Sequence, residues 1–127
     1  MNQREIKFKA WNIAKKRWEG VYDLVNGDTS YFGDCVAGNT HKDEFHLMQF
    51  TGLRDKNGVE IYEGDIVKII EINGNGEFEP ERIEEVEYNE YDATFQVGTW
   101  SLNANKYIDE WGEVIGNVWE NKELLNL

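Results

Sequence analysis

The sequence predicts a mainly β fold, a β-rich α+β domain with a small curled β-barrel, an N-terminal β-hairpin region and a short C-terminal helical turn. Three observations predict it. Apolar and polar residues alternate over roughly eight short segments, turn residues separate those segments, and helical periodicity is scarce. The 127 residues are 40% hydrophobic and 13% aromatic, which is enough for a core and too much for a disordered chain.

The first segment, residues 5–11, predicts a strand with one solvated face, because charged and apolar residues alternate along it. Residues 12–16 indicate a turn, and residues 17–22 indicate the returning strand of a hairpin. Trp18 is expected on the inner face of that strand. The inner residues of the first strand are then Ile6, Phe8 and Ala10, and the outer residues are Glu5, Lys7 and Lys9.

Residues 23–44 are the least regular part of the chain. Glycine beside asparagine or aspartate recurs in them, which is typical of turns. We expect loops there, with one short strand around Tyr31 and Phe32.

A hairpin is predicted in the middle of the chain. Residues 45–53 indicate its first strand, in which Gly52 is expected to mark a bulge or a close approach of two backbones. Asn57-Gly58 favours positive φ at both central positions of a type I′ turn. Residues 59–62 indicate the short returning strand.

A tight corner at Glu63-Gly64-Asp65 starts the next strand. Ile66 and Val67 point to opposite faces of it, so its beginning is predicted to be buried on both sides. Gly74-Asn75-Gly76 ends this strand, and an acidic loop that carries Pro80 follows.

The last third of the chain predicts two further strands, joined by residues 89–94, and a final strand over residues 113–119. Residues 100–108 are expected to be irregular. Asn121 is a predicted cap for one closing helical turn. The paired strands are marked by apolar residues two positions apart: Val86 and Tyr88, then Phe95 and Val97.

Six sequence blocks stand out along the chain, and they are, in order, Ile6-Lys7-Phe8-Lys9-Ala10-Trp11-Asn12, Leu47-Met48-Gln49-Phe50-Thr51-Gly52-Leu53, Asp55-Lys56-Asn57-Gly58, Ile61-Tyr62-Glu63-Gly64-Asp65-Ile66-Val67, Val86-Glu87-Tyr88 and Val114-Ile115-Gly116-Asn117-Val118-Trp119-Glu120-Asn121. In this order they resemble the YopX family of phage and prophage proteins. A single YopX-like domain over residues 1–127 is therefore expected, with a subdivision into residues 1–44 and 45–127 as the alternative. Family members often carry proline where Lys122 stands here.

The resemblance implies a small β-rich protein that is encoded by a phage or prophage and is capable of self-assembly. It brings no catalytic residues and no molecular function. The Tyr62-Glu63-Gly64-Asp65 element is also similar to the glycine–aspartate corner of SH3-like barrels. That similarity favours an SH3-like barrel without naming a ligand, because fold and function are separable.

Charge is distributed unevenly over a chain whose net charge is −12. Residues 1–18 hold six basic residues and one acid, whereas residues 71–127 hold fourteen acids and three basic residues. Such a surface repels nucleic-acid phosphates at long range and keeps a small protein soluble. No signal peptide or apolar run of membrane-spanning length is visible, and Cys35 is the only cysteine, so we expect a protein of the bacterial cytoplasm.

Candidate chemistry is sparse, and we expect neither an enzyme nor a cofactor. Cys35, His41 and His46 are weak candidates for metal ligands, because they lack the paired spacing of zinc sites. They also leave a metal-assisted hydrolase, or a Cys35–His41 nucleophile pair, as alternatives. The glutamates of residues 77–90 are typical of a solvated face, with acid–base work, magnesium binding or mimicry of phosphates as the other readings.

The expected partners are further copies of the chain or a host or phage protein, without a membrane. Uncovered strand edges and surplus aromatic residues favour such contacts. The alternative is a nucleic-acid-associated module that uses the basic N-terminal hairpin, where lysines alternate with aromatic residues. The residues predicted to bind a partner are Lys15, Lys16, Arg17, Trp100 and Trp111.

Overall fold

The structure is a computed structural model, and it describes residues 5–23, 45–70, 72–97, 100–101 and 112–126. The mainly β fold is confirmed. The short strand predicted around Tyr31 and Phe32 lies outside the described residues. The elements are β1 Lys7–Asn12, β2 Arg17–Asp23, β3 Phe45–Arg54, β4 Glu60–Tyr62, β5 Asp65–Ile69, β6 Arg82–Asn89, β7 Thr94–Val97, β8 Trp100–Ser101, β9 Gly112–Asn117 and a 3-10 helix, Lys122–Asn126.

The chain forms two compact units, Met1–Gly52 and Leu53–Leu127. In the first unit, β1 lies between β2 and β3 and is antiparallel to both. Phe8 is opposite Tyr22 on one side and Gln49 on the other. The β1–β2 pairing shifts by one residue between Lys9 and Trp11, as a β-bulge does.

The lysine-bearing face of β1 is not the simple solvated face that alternation predicted. Lys7 Nζ lies 5.5 Å from the centroid of the buried Phe50 ring, and Lys9 Nζ lies 5.1 Å from the Trp18 centroid. Trp18 also contacts Trp11 edge to face, with centroids 4.9 Å apart. Trp18 therefore shares a face with the lysines, because the ammonium groups of Lys7 and Lys9 lie near aromatic rings, and that of Lys7 also pairs with Glu5 at 2.8 Å.

The second unit contains a five-stranded sheet, curled into a half barrel, in the order β8-β7-β6-β5-β9. Its central strands β5 and β6 run antiparallel, as do β5 and β9. The start of β5 is buried on both faces, as predicted, since Ile66 and Val67 are fully inaccessible. The buried core cluster consists of Ile61, Val67, Ile69, Val86 and Val97.

The turn between β3 and β4 is where predicted, but its type was wrong. A type I′ turn needs positive φ at Asn57, whereas among the described non-glycine residues only Lys16 and Ala93 have it. The Gly58 N–H donates to the Asp55 carbonyl, and Gly58 has a φ of +82°. This is a type I turn followed by a glycine bulge.

Asp55 explains the turn type. Its buried carboxylate accepts the N–H groups of Asn57 and Val59 on Oδ1, each at 2.9 Å, and that of Val114 on Oδ2 at 2.8 Å. Asn73 builds a second turn of the same pattern, with its Oδ1 accepting from Asn75 and Glu77.

The corner before β5 joins three elements of the second unit. The Asp65 carboxylate accepts the Tyr62 N–H at 2.8 Å, and Gly64 adopts a φ of +86°. The Gly64 N–H donates to the Val86 carbonyl at 2.7 Å, while its carbonyl accepts the Val118 N–H at 2.8 Å. The corner thus connects β6 to the residues after β9, which confirms its predicted role in starting β5.

The end of the chain is held by Asn117 and Asn121. The Asn117 Oδ1 accepts the N–H groups of Trp119 and Glu120, and the Asn117 N–H donates to Asn121 Oδ1 at 3.2 Å. Asn121 was predicted to cap the helical turn with its side chain. It does precede the 3-10 helix, but its side-chain oxygen points back to Asn117, and its carbonyl accepts the Leu124 N–H instead.

Candidate functional site

The predicted metal ligands do not form a cluster in the described part of the chain. Cys35 and His41 lie outside the described residues. His46 is exposed on β3, opposite Trp11 of β1. Across the described ranges, no group of three histidine, cysteine or acidic residues is placed to hold a metal ion. None of the helices that could be searched there is long and apolar enough to cross a membrane.

The predicted partner-binding residues separate into two sets. Trp111 lies outside the described residues, and Trp100 begins β8, where it pairs with Val97. Lys15, Lys16 and Arg17 are brought together at the end of the β1–β2 hairpin, and all three are exposed. We call these three residues the basic tip.

The basic tip is shaped by the buried residue that ends β1. Asn12 is 1% exposed, and its Oδ1 accepts the Lys15 N–H at 2.9 Å. Its carbonyl accepts the Lys16 N–H at 2.8 Å, and Lys16 adopts a left-handed φ of +54°. Four residues, 13–16, thus connect Asn12 to its cross-strand partner Arg17.

A second hairpin end, between β6 and β7, has the same construction and was not predicted as a site. Asn89 Oδ1 accepts the N–H groups of Tyr91 at 2.9 Å and Asp92 at 3.4 Å. Four residues connect Asn89 to its partner Thr94, and the last of them, Ala93, has a φ of +53°. Both hairpins therefore share one feature: an asparagine whose side chain binds the loop backbone is followed, four positions later, by a residue with positive φ.

This second hairpin end is acidic and aromatic. Tyr91 is 92% exposed, its neighbours Glu90 and Asp92 in the loop are also exposed, and so is Glu87 near the end of β6. The Asn89 amide further donates to Asp92 at 3.2 Å and to Gln96 at 2.9 Å. We call Glu87, Glu90, Tyr91 and Asp92 the acidic tip.

The negative charge of β6 acts on a neighbouring carboxyl. Glu85 is half-buried on β6. The 3-10 helix packs against this strand. Desolvation raises the pKa of Glu85, the charge of Glu87 raises it further, and Lys122 lowers it. The surroundings of Glu85 therefore disfavour its charged form.

The comparison with solved structures shows the fold of the chain. The crystal structure of protein EF1440 from Enterococcus faecalis matches with a TM-score of 0.60 and 24% sequence identity, over 94% of this chain and 97% of that chain. The search among curated proteins gave no match. The model of the YopX family, described as YopX protein, matches residues 7–126. The match spans nearly the whole sequence, and the chain belongs to the YopX family.

Proposed function

We propose that this chain is a phage- or prophage-encoded, non-catalytic protein that acts by binding protein partners or copies of itself. Membership of the YopX family supports the phage origin, since the family is one of phages and prophages and brings no catalytic residues. The acidic tip supports the protein contacts.

The observation that carries the proposal is the exposure of Tyr91. A tyrosine that is 92% exposed at the end of a hairpin leaves an aromatic ring in water. Tyrosine is among the residues that contribute most to protein interfaces, because its large ring loses little rotational freedom when it is buried. The hydrogen bonds from its loop to Asn89 hold the backbone below it, so the ring is displayed on an ordered support.

The chemistry around Tyr91 indicates what kind of partner surface fits. Glu90 and Asp92 flank Tyr91 in the loop, Glu87 lies near the end of β6, and all three acidic residues are exposed. A partner with lysine or arginine at the contact gains charge attraction and a cation–π contact with the ring. A partner with acidic groups there is repelled.

Light scattering and affinity capture test the proposal with three proteins: the full chain, Tyr91→Ala and Tyr91→Phe. We expect the full chain either to gain mass with concentration or to retain a defined protein from a host lysate. Tyr91→Ala is expected to lose that contact, and Tyr91→Phe to keep most of it because the ring remains. A chain that stays monomeric up to about 1 mM and captures the same proteins as Tyr91→Ala would refute the proposal.

Exposure of the basic tip favours a second candidate, a nucleic-acid-associated module. Three exposed cations beside an N-terminal strand rich in lysine could contact phosphates. The net charge of −12 opposes it, and the aromatic rings nearest to Lys7 and Lys9 already lie against those lysines. A gel-shift titration decides: a shift at low salt that weakens steeply as salt is added supports the module, and no shift at any salt removes it.

A further inference from the structure

We propose that copies of this chain associate tip to tip, with the basic tip of one copy docked on the acidic tip of another. This inference rests on the proposed function and names its partner as a second copy of the chain. The docked pair brings Lys15, Lys16 and Arg17 of one copy to Glu87, Glu90 and Asp92 of the next, around Tyr91.

Charge complementarity is the first argument. The basic tip carries three positive charges and the acidic tip three negative ones, and all six side chains are exposed. Complementary patches raise the rate of productive encounter and select a docking orientation. Each pair adds little energy, because exposed ion pairs contribute at most about 1 kcal/mol.

The second argument is the ring of Tyr91, which offers a cation a face to cover. The chain already makes this kind of contact twice, with Lys7 against Phe50 at 5.5 Å and Lys9 against Trp18 at 5.1 Å. A lysine or arginine of the basic tip placed over Tyr91 would repeat that contact between copies and remove an exposed aromatic surface from water.

The third argument is that both loops are ordered before docking. Asn12 binds the backbone of Lys15 and Lys16, and Asn89 binds that of Tyr91 and Asp92. Little loop entropy then remains to be lost on association, which favours a small contact. Two loop ends still cover little area, so we expect weak and reversible association.

The basic tip and the acidic tip are different surfaces, and this difference determines the symmetry of the proposed assembly. A contact between unlike patches is heterologous, so a docked pair still presents one undocked basic tip and one undocked acidic tip. These two tips either close on each other in a ring of two or more copies or dock further copies into an open chain. The net charge of −12 opposes association at low salt, whereas at about 0.15 M salt the Debye length is about 8 Å and the direct contacts dominate.

Sedimentation velocity of the full chain and three charge variants tests the inference. The variants are a basic-tip reversal (K15E, K16E, R17E), an acidic-tip reversal (E87K, E90K, D92K) and the combination of both. At about 0.15 M salt, we expect the sedimentation coefficient of the wild type to rise between about 10 µM and 1 mM. Each single reversal should remove that rise, and the combination should restore it.

Net charge alone predicts a different pattern, which makes the variants informative. The acidic-tip reversal brings the net charge from −12 to −6, so weaker general repulsion would increase association, whereas tip-to-tip docking predicts its loss. The combination keeps the wild-type charge of −12. Circular dichroism and thermal unfolding of every variant exclude misfolding. Tyr91→Ala, which changes no charge, is expected to reduce association as well.

Three results overturn the inference: a wild type that stays monomeric, single reversals that associate like the wild type, or a folded combination variant that does not recover association. If self-association is absent while Tyr91-dependent capture of another protein persists, the inference fails and the proposed function stands. If neither contact is found, both fail.

Discussion

Gly116 of β9 has no room for a side chain. A Cβ at this position would lie 2.6 Å from Asn121 Oδ1 and 2.8 Å from Asn121 Cβ and Cγ. Asn121 cannot move away cheaply, because its side chain accepts the Asn117 N–H and its own N–H donates to the Asn117 carbonyl. The Gly116-Asn117 and Asn121 positions of the last family block thus form one packed structure.

Gly116→Ala is expected to lower the free energy of unfolding by about 1–3 kcal/mol, since the added methyl must displace an anchored side chain. Gly74→Ala is the matched control. A Cβ there meets nothing within 4 Å, so the variant should be neutral or up to about 1 kcal/mol more stable. Urea denaturation of both variants checks the difference, and equal stabilities would contradict the packing.

Asp55→Asn should destabilise the chain by about 1–3 kcal/mol. The amide retains one acceptor oxygen for a site that presents three N–H groups, and its NH₂ group opposes a donor. In the second turn of this pattern, Asn73→Asp keeps every acceptor and should change stability by less than about 0.5 kcal/mol. Urea denaturation checks both variants. If Asn73→Asp lowered the free energy of unfolding as much as Asp55→Asn, this assignment of the hydrogen bonds would be wrong.

Glu85→Gln is expected to stabilise the chain near neutral pH. The pKa of Glu85 is raised in the folded state, so its protonation stabilises the fold fully below the unfolded pKa, and that contribution is lost as pH rises through the folded pKa. Glutamine mimics the protonated form at every pH. Urea denaturation should therefore show an advantage for Glu85→Gln at pH 7 that disappears at about pH 3.5.

Lys122→Ala provides the companion measurement. Lys122 lowers the pKa of Glu85, so its removal should raise that pKa further in an NMR titration of the Glu85 carboxyl. A pKa that is unchanged or falls would show that the 3-10 helix does not place Lys122 near β6.

The β1–β2 turn and the β3–β4 turn show how much of a turn can be predicted from local sequence. The location of the β1–β2 turn and the Asn57-Gly58 turn followed from turn residues between alternating segments. The type of the second turn did not, because it depends on Asp55, whose carboxylate also reaches Val114, 59 positions along the chain. A dipeptide pattern cannot include so distant a donor.

Asn89→Ala is expected to loosen the acidic tip without unfolding the sheet. It removes the acceptor of the Tyr91 and Asp92 N–H groups, so hydrogen exchange at those two amides should accelerate by about tenfold. Exchange at Lys15, whose N–H is held by Asn12, should stay unchanged. Acceleration throughout the chain would instead indicate global destabilisation.

Across the whole molecule, the sequence predicted the class of fold better than the site. The mainly β fold, the corner at Gly64 and the strand buried on both faces were confirmed. These features were predictable because burial determines the spacing of apolar residues along a strand, and tight turns require particular residue types. The face of Trp18 was wrong, because cation–π contacts let lysine and tryptophan share one side of a strand. Glu87 and Glu90 of the acidic tip were among the glutamates expected on a solvated face, but Tyr91 was not predicted as a site, because the sequence does not show how exposed its side chain is. The SH3-like barrel and the single domain stay predictions.

The most direct test of protein contacts through the two tips is an equimolar mixture of the basic-tip and acidic-tip reversals. One variant then carries two acidic tips and the other two basic tips, so neither can dock on itself. We predict that each variant alone sediments as a monomer, while the mixture forms larger species. These species should dissociate in about 1 M salt, where the Debye length falls to about 3 Å. A mixture that sediments as the sum of its two separate components would contradict it.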